Sequence, residues 1–194
     1  IGNYYTNSST NTIDFDYSEN NLAFYAEARK KIKKLSLTAG LRFEDYHVER
    51  ITNTLTEPIK FKNTNLFPNA SAIYEVADDV NISASYSKKI NQPNYNNLDP
   101  NNGSAFDQYN TSQGNLFLDP TYLNNFEFKI TAMQFVQLGM NYTASKDNNL
   151  FVFSADADAT KPVSNQTYQQ FDHFNTFSAY ANFPIPLDYF FKGK

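Results

Sequence analysis

Read along the chain, apolar and polar residues exchange places with a period of two over seven segments. The first spans about 19–30, with Leu22, Phe24, Ala26 and Ala28 alternating against Tyr25, Glu27 and Arg29. The second spans about 35–50, where Leu35, Leu37, Ala39, Leu41 and Phe43 oppose Ser36, Thr38, Gly40, Arg42 and Glu44. The third, about 64–76, sets Leu66, Ala70, Ala72, Tyr74 and Val76 on one face. The fourth begins at Val80 and continues through Ile82, Ala84 and Tyr86. The fifth, about 122–131, carries Phe126, Phe128 and Ile130 against Glu127, Lys129 and Thr131. The sixth runs from about 136 to 153 and the seventh from about 166 to 183. A helical spacing fits none of them, and strict alternation is the mark of a two-faced strand.

The connections differ in length. Short turns are expected at 30–34, 77–79 and 132–135, and long polar loops at 51–63, 90–121 and 154–164. Loops that are short on one side and long on the other are the pattern of an outer-membrane barrel, whose long loops face the cell exterior. In such a barrel the apolar face of each strand meets lipid and the polar face meets a wet interior. Tyr74, Tyr86, Tyr142 and Phe183 are expected toward strand ends, at the membrane interfaces. Lys88 shares the parity of Tyr86 and is expected above the aromatic ring, its head reaching water.

A slip of one residue would turn Arg42, Glu44, Glu127 and Lys129 toward hydrocarbon. Each lipid-facing Arg or Lys costs about 2–4 kcal/mol at the bilayer midplane. The charges Glu27, Arg29, Arg42, Glu44, Glu127 and Lys129 are therefore assigned to the interior, where they pair with each other or with whatever fills it. Seven strands leave two open edges, and unpaired backbone groups in hydrocarbon cost several kcal/mol each. Either other chains complete the sheet or the segment is an excerpt of a longer barrel; the second is expected, residues 1–194 forming part of one barrel domain.

Composition agrees with this architecture. Of 194 residues, 18 are Phe and 14 are Tyr, yet mean hydropathy is -0.58. Disordered chains are poor in aromatics. The net charge of -4 argues against nucleic acid as a partner. Cysteine is absent, which excludes disulfides and thiolate metal sites. No apolar run is long enough for a membrane-spanning helix, and the start lacks the basic and apolar regions of a signal peptide.

Catalytic patterns are weak. Asp45, His47 and Glu49 share a face and are a conceivable metal cluster, but a polar strand top is the simpler reading. Residues 156–160, "DADAT", lack the glycine and spacing of a calcium loop. No metal site, cofactor or enzymatic activity is assigned. The residues of the long central loop best suited to touch a ligand are Tyr95, Asn96, Asn97, Phe106, Tyr109 and Asn115.

"TIDFDYSENNLAFYAEARKKI", "LSLTAGLRFED", "LFPNASAIYEV" and "SASYSKKINQPNYNNLDP" resemble, in order, successive strands of an outer-membrane β-barrel family related to TonB-dependent receptors. "GNLFLDPTYLNNFEF" resembles that family's Gly-Asn-Pro-x-Leu-x-Pro strand entry. Two positions depart from its pattern: Gln92 stands where Arg is usual before the proline, and Phe117-Leu118 alter the signature. The resemblance implies a transmembrane barrel of about 22 strands in the bacterial outer membrane, closed by an N-terminal plug. It implies import of a nutrient or siderophore-type ligand, contact with outer-membrane lipid, and coupling to a TonB-type protein through the plug. Neither the plug nor the remaining strands are expected within these residues. The alternative is a barrel serving as scaffold in a surface complex, with a lipoprotein or other subunits on its loops. A soluble β-sandwich is the third possibility.

Overall fold

The structure is a computed structural model that describes residues 13–101, 110–133, 135–155 and 164–184. It is one curved sheet with strands β1 (Phe15–Ile32), β2 (Leu35–Thr52), β3 (Ile59–Ala77), β4 (Val80–Asn91), β5 (Asn110–Gln113), β6 (Thr121–Ala132), β7 (Val136–Ala155) and β8 (Ser164–Asn182). The order is β1-β2-β3-β4-β6-β7-β8-β5. All pairs are antiparallel except β5 on β8, which is parallel. The sequence reading had seven strands; the eighth, β5, is a polar four-residue strand without an alternating pattern. A single short helix, α1 (Tyr95–Leu98), breaks the β architecture among the described residues.

The turns on one side are tight: Lys33–Lys34, Asp78–Asp79 and residues 133–135. Lys33, Asp79 and Met133 have φ of 53°, 62° and 53°. Such left-handed residues match the twist of the flanking strands. On the other side the β2–β3 connection is residues 53–58 only, which corrects the long loop expected over 51–63. Strands β2 and β3 continue instead, Arg50 pairing with Ile59 and Val48 with Phe61. Residues 156–163 lie outside the described residues, and with them "DADAT".

Register places Ala28, Ala39, Ala70, Tyr86, Phe126, Tyr142 and Phe177 in one cross-strand row on the convex face. Tyr86 and Phe126 rings lie 4.9 Å apart, and Phe126 and Tyr142 rings 6.2 Å. Leu41 and Met140 on this face are each 46 % exposed, so neither lies in a sealed protein core. On β1 the apolar band runs from Ile32 to Leu22. At about 3.4 Å per residue and a tilt of about 45° it stands about 24 Å tall, the height of the lipid-facing band of an outer-membrane barrel.

Tyr86 and Tyr142 correct one detail of the sequence reading. They lie within their strands, not at the ends. They mark the edge of the apolar band: beyond Tyr86 comes Lys88, beyond Tyr142 comes Lys146, and beyond Phe177 comes His173. The strands continue past the band into water. Lys88 is half-buried, its Nζ 5.9 Å from the ring centroids of both Phe67 and Tyr122.

Glycine at 139 has a packing reason. A Cβ there would collide with the ring of Tyr180, its partner on β8. Gly139→Ala should therefore displace that ring and lower the thermal unfolding midpoint of the refolded barrel. Phe128→Lys places a cation in the band and should destabilise the fold by about 2–4 kcal/mol if residue 128 lies near the midplane. Glu127→Lys on the opposite face should cost far less. Urea titration of full-length protein in lipid vesicles compares the two, and equal losses would show that the faces are misassigned.

Candidate functional site

The concave face carries the polar parity. Tyr25, Arg42 and Phe67 form one row, and Glu27, Gly40, Asn69 and Ser87 another. Arg29 Nε lies 2.6 Å from Glu27 Oε1, and the Tyr25 hydroxyl donates to Glu27. Arg42 Nη2 lies 2.6 Å from Glu44 Oε2, while Asn21 Nδ2 donates to Glu44 Oε1 at 2.9 Å. Glu44 is only 2 % exposed; Asn21 hydrogen-bonds Oε1, while Oε2 meets Arg42 as an ion pair without a well-aligned hydrogen bond. Glu127 and Lys129 share the concave parity with Ser85 and Ser83 but have no ion-pair partner among the described residues. Among the described residues, ion pairs between these charges occur within β1 and within β2, and none on β6.

The described parts of the chain between β4 and β6 do not project outward. Its described arms, 92–101 and 110–120, fold across the concave face. Tyr95 stacks on Phe15 at 5.3 Å and meets Tyr17 edge-on at 5.9 Å, both of concave parity on β1. Arg50 Nη1 donates to the Leu116 carbonyl at 2.6 Å. Leu98 and Leu118 are fully buried, and Tyr46, Val48 and Phe67 are buried on the wall behind them. Beyond the apolar band the inner face is thus greasy, because a covering segment replaces water there.

This segment also reaches β8. Asn115 Nδ2 donates to the Tyr168 carbonyl at 2.9 Å, and β5 pairs with Ser164–Thr167. Asn149 Nδ2 and Gln170 Nε2 both donate to the Asp119 carbonyl. Asn94 caps α1 by accepting from the Asn96 amide at 3.0 Å. Asn115 N donates to Asn97 O at 2.7 Å, joining the two arms. Burial lowers the affinity of the Arg50 guanidinium for its proton, and nearby Asp119 opposes that. Burial likewise pushes the Asp119 carboxyl up, with Arg50 pulling it down and Asp147 adding to the rise.

Of the ligand candidates, Tyr95 is half-exposed beside β1, Asn96 is exposed on α1, and Asn97 and Asn115 join the arms through their backbones. Phe106 and Tyr109 lie outside the described residues. Asp45, His47 and Glu49 share the convex face above the band. His47 Nε2 lies 3.0 Å from Asp45 Oδ2, and Thr64 donates to Asp45 Oδ1 at 2.6 Å. Lys60 Nζ lies 3.1 Å from Glu49. The Thr64 hydroxyl, then His47, hold the Asp45 carboxyl below its usual range. No grouping of three metal-ligating side chains occurs among the described residues. The sequence reading missed Arg50, Asp119 and Asn149, whose role depends on a segment folding back from elsewhere in the chain.

A two-faced antiparallel sheet with this register has a known counterpart. The model of the outer membrane protein beta-barrel family matches residues 1–193. The chain belongs to that family. It is a β-barrel protein of the bacterial outer membrane, and its convex face is the lipid face. Among solved structures it resembles the copper transporter OprC, with 16 % identity and a TM-score of 0.58 over 84 % of this chain and 27 % of that one. It also resembles the alcaligin outer-membrane receptor FauA of Bordetella pertussis, with 14 % identity and a TM-score of 0.50 over 88 % and 32 %. The chain therefore spans about a third or less of the length of these barrels. No curated protein matches it in sequence.

The inward segment of this family member gives a direct test. Gly114 packs so closely on Asp99 that a Cβ would stand 2.5 Å from the Asp99 carbonyl. Gly114→Val should force the two arms apart and make residues 92–120 more susceptible to protease on intact cells. Arg50→Ala leaves the Leu116 carbonyl without its partner, a loss of about 1–3 kcal/mol, and should act in the same direction. Unchanged cleavage in both variants would show that the segment is not held to the wall by these contacts.

Proposed function

We propose that this chain is part of the wall of a TonB-dependent-receptor-like transporter that imports a nutrient or siderophore-type ligand and performs no enzymatic chemistry. The full barrel has about 22 strands, an N-terminal plug and a TonB-type energy-coupling partner that engages the plug. The observation that carries this reading is the concave wall itself. It is polar and charged at membrane depth, and beyond the band a segment of its own chain crosses its mouth. A sheet built only as a scaffold has no need of a guarded interior. The likeness to OprC and FauA supports the fold, and the copper carried by the one and the alcaligin bound by the other suggest the class of cargo.

In this reading Tyr95, Asn96, Asn97, Phe106, Tyr109 and Asn115 supply ligand contacts at the outer mouth. Glu127 and Lys129, without ion-pair partners on the sheet, face the plug. Arg42 and Glu44 are already joined to one another and set the charge of the wall.

The test is growth of a strain lacking the full gene on limiting metal chelates or other scarce nutrients. Growth on one of them should fall, and return with the wild-type gene only while the energy-coupling partner is present. Normal growth on every nutrient, together with stable co-purification of surface proteins, would turn the assignment to a scaffold.

A further inference from the structure

The ladder between β3 and β4 ends early. It runs from Ala77 and Val80 to Asn69 and Ser87, although β3 continues to Ile59 and β4 to Asn91. The next pair outward would be Pro68 with Lys88, and Pro68 has no N–H to give a rung. The strands part there, and side chains occupy the seam. Asn63 Nδ2 and Asn65 Nδ2 both donate to the Tyr122 hydroxyl. Lys88 lies between the rings of Phe67 and Tyr122.

Below this seam is a cavity of about 300 Å³, bordered by Tyr25, Arg42, Glu44, Phe67, Lys88 and Lys89, among others. Three cationic side chains border it and one carboxylate, in a chain whose net charge is -4. The carboxylate is already engaged: Glu44 is buried between Arg42 and Asn21. Lys88 and Lys89 have no carboxylate partner among the described residues. The Arg42 side chain keeps 47 % of its surface open while bound to Glu44, so further guanidinium N–H groups are available.

We propose that this cavity is a binding subsite for an anionic group, a carboxylate or phosphate carried by a small solute. Arg42 supplies a planar donor set, which suits such oxygens, and Lys89 adds an exposed point charge. Lys88, held by two rings, contributes its field with little freedom to lose on binding. The wall behind is the buried ring of Phe67, which keeps water from screening one side. The inference deepens the transporter reading and depends on it only for the biological use of the anion.

Binding is measured on the purified full-length protein in detergent at low salt, with inorganic phosphate and citrate as separate probes in titration calorimetry. At least one should bind, and added sodium chloride should weaken it. Combining Arg42→Gln with Lys89→Gln should weaken that probe by about tenfold or more, while Lys62→Gln on the convex face should leave it unchanged. Because Arg42→Gln also disturbs Glu44, Lys89→Gln alone and Arg42→Lys are measured beside it. The first should weaken binding and the second should retain part of it. Heat-modifiable gel mobility verifies folding of each variant. If neither probe binds, or if the double variant binds as well as wild type, the subsite is wrong. That result leaves the transporter reading standing, because growth on scarce nutrients is scored separately.

Discussion

The whole arrangement depends on one constraint: within hydrocarbon, a backbone N–H or C=O has no partner except another strand. Once the convex row from Ala28 to Phe177 is set against lipid, every strand must be paired on both edges at that depth. The ladders β1–β2, β2–β3, β4–β6, β6–β7 and β7–β8 run continuously through the apolar band. The β3–β4 ladder is the exception, and it opens toward the outer end of the sheet, where water or polar side chains can take up what the missing rungs release. Asn63, Asn65 and Tyr122 are such side chains, and they lie at that opening.

Parity then fixes the chemistry of the interior. A strand cannot turn one side chain without turning all of its neighbours. Leu41 and Phe43 facing lipid commits Arg42 and Glu44 to the concave side, and the neighbouring β1 strand brings Asn21 and Tyr25 to meet them. The Arg42–Glu44 pair is therefore a consequence of the lipid face as much as a feature of the interior. The same logic explains Gly40 and Gly139. Both are concave positions where neighbouring side chains, Asn69 and Tyr25 over Gly40 and Tyr180 over Gly139, crowd the place a Cβ would take.

How much of this was legible follows from where the solvent changes. Inside the band, lipid on one side and water on the other give a clean alternation, and the strands could be read directly. Past the band, the phase inverts. On β2, odd residues are apolar through Phe43, but Asp45, His47 and Glu49 are polar, and the even ones, Tyr46 and Val48, are buried. Phe61 and Ile59 on β3 follow the same inverted pattern, with Lys60 and Lys62 turned outward. A reading that looks for a single apolar face takes the start of β3, residues 59–63, for loop, which is why the β2–β3 connection seemed long. The inversion was present in the sequence; its cause, the covering segment, was not.

That segment marks the limit of local pattern. Its anchors are a stacked Tyr95, a carbonyl at Leu116 and four polar residues of β5, none of which alternates with anything. Their partners lie on β1, β2 and β8, brought near only because the sheet curves. Arg50 shows the dependence from the other side. On an uncovered wall it would be one more hydrated cation. Under Leu116 and beside Asp119 it becomes a buried group whose charge must be answered by the segment that buries it. Wall and cover therefore specify each other: the cover gives the buried arginine its acceptor, and the arginine fixes where the cover crosses the mouth.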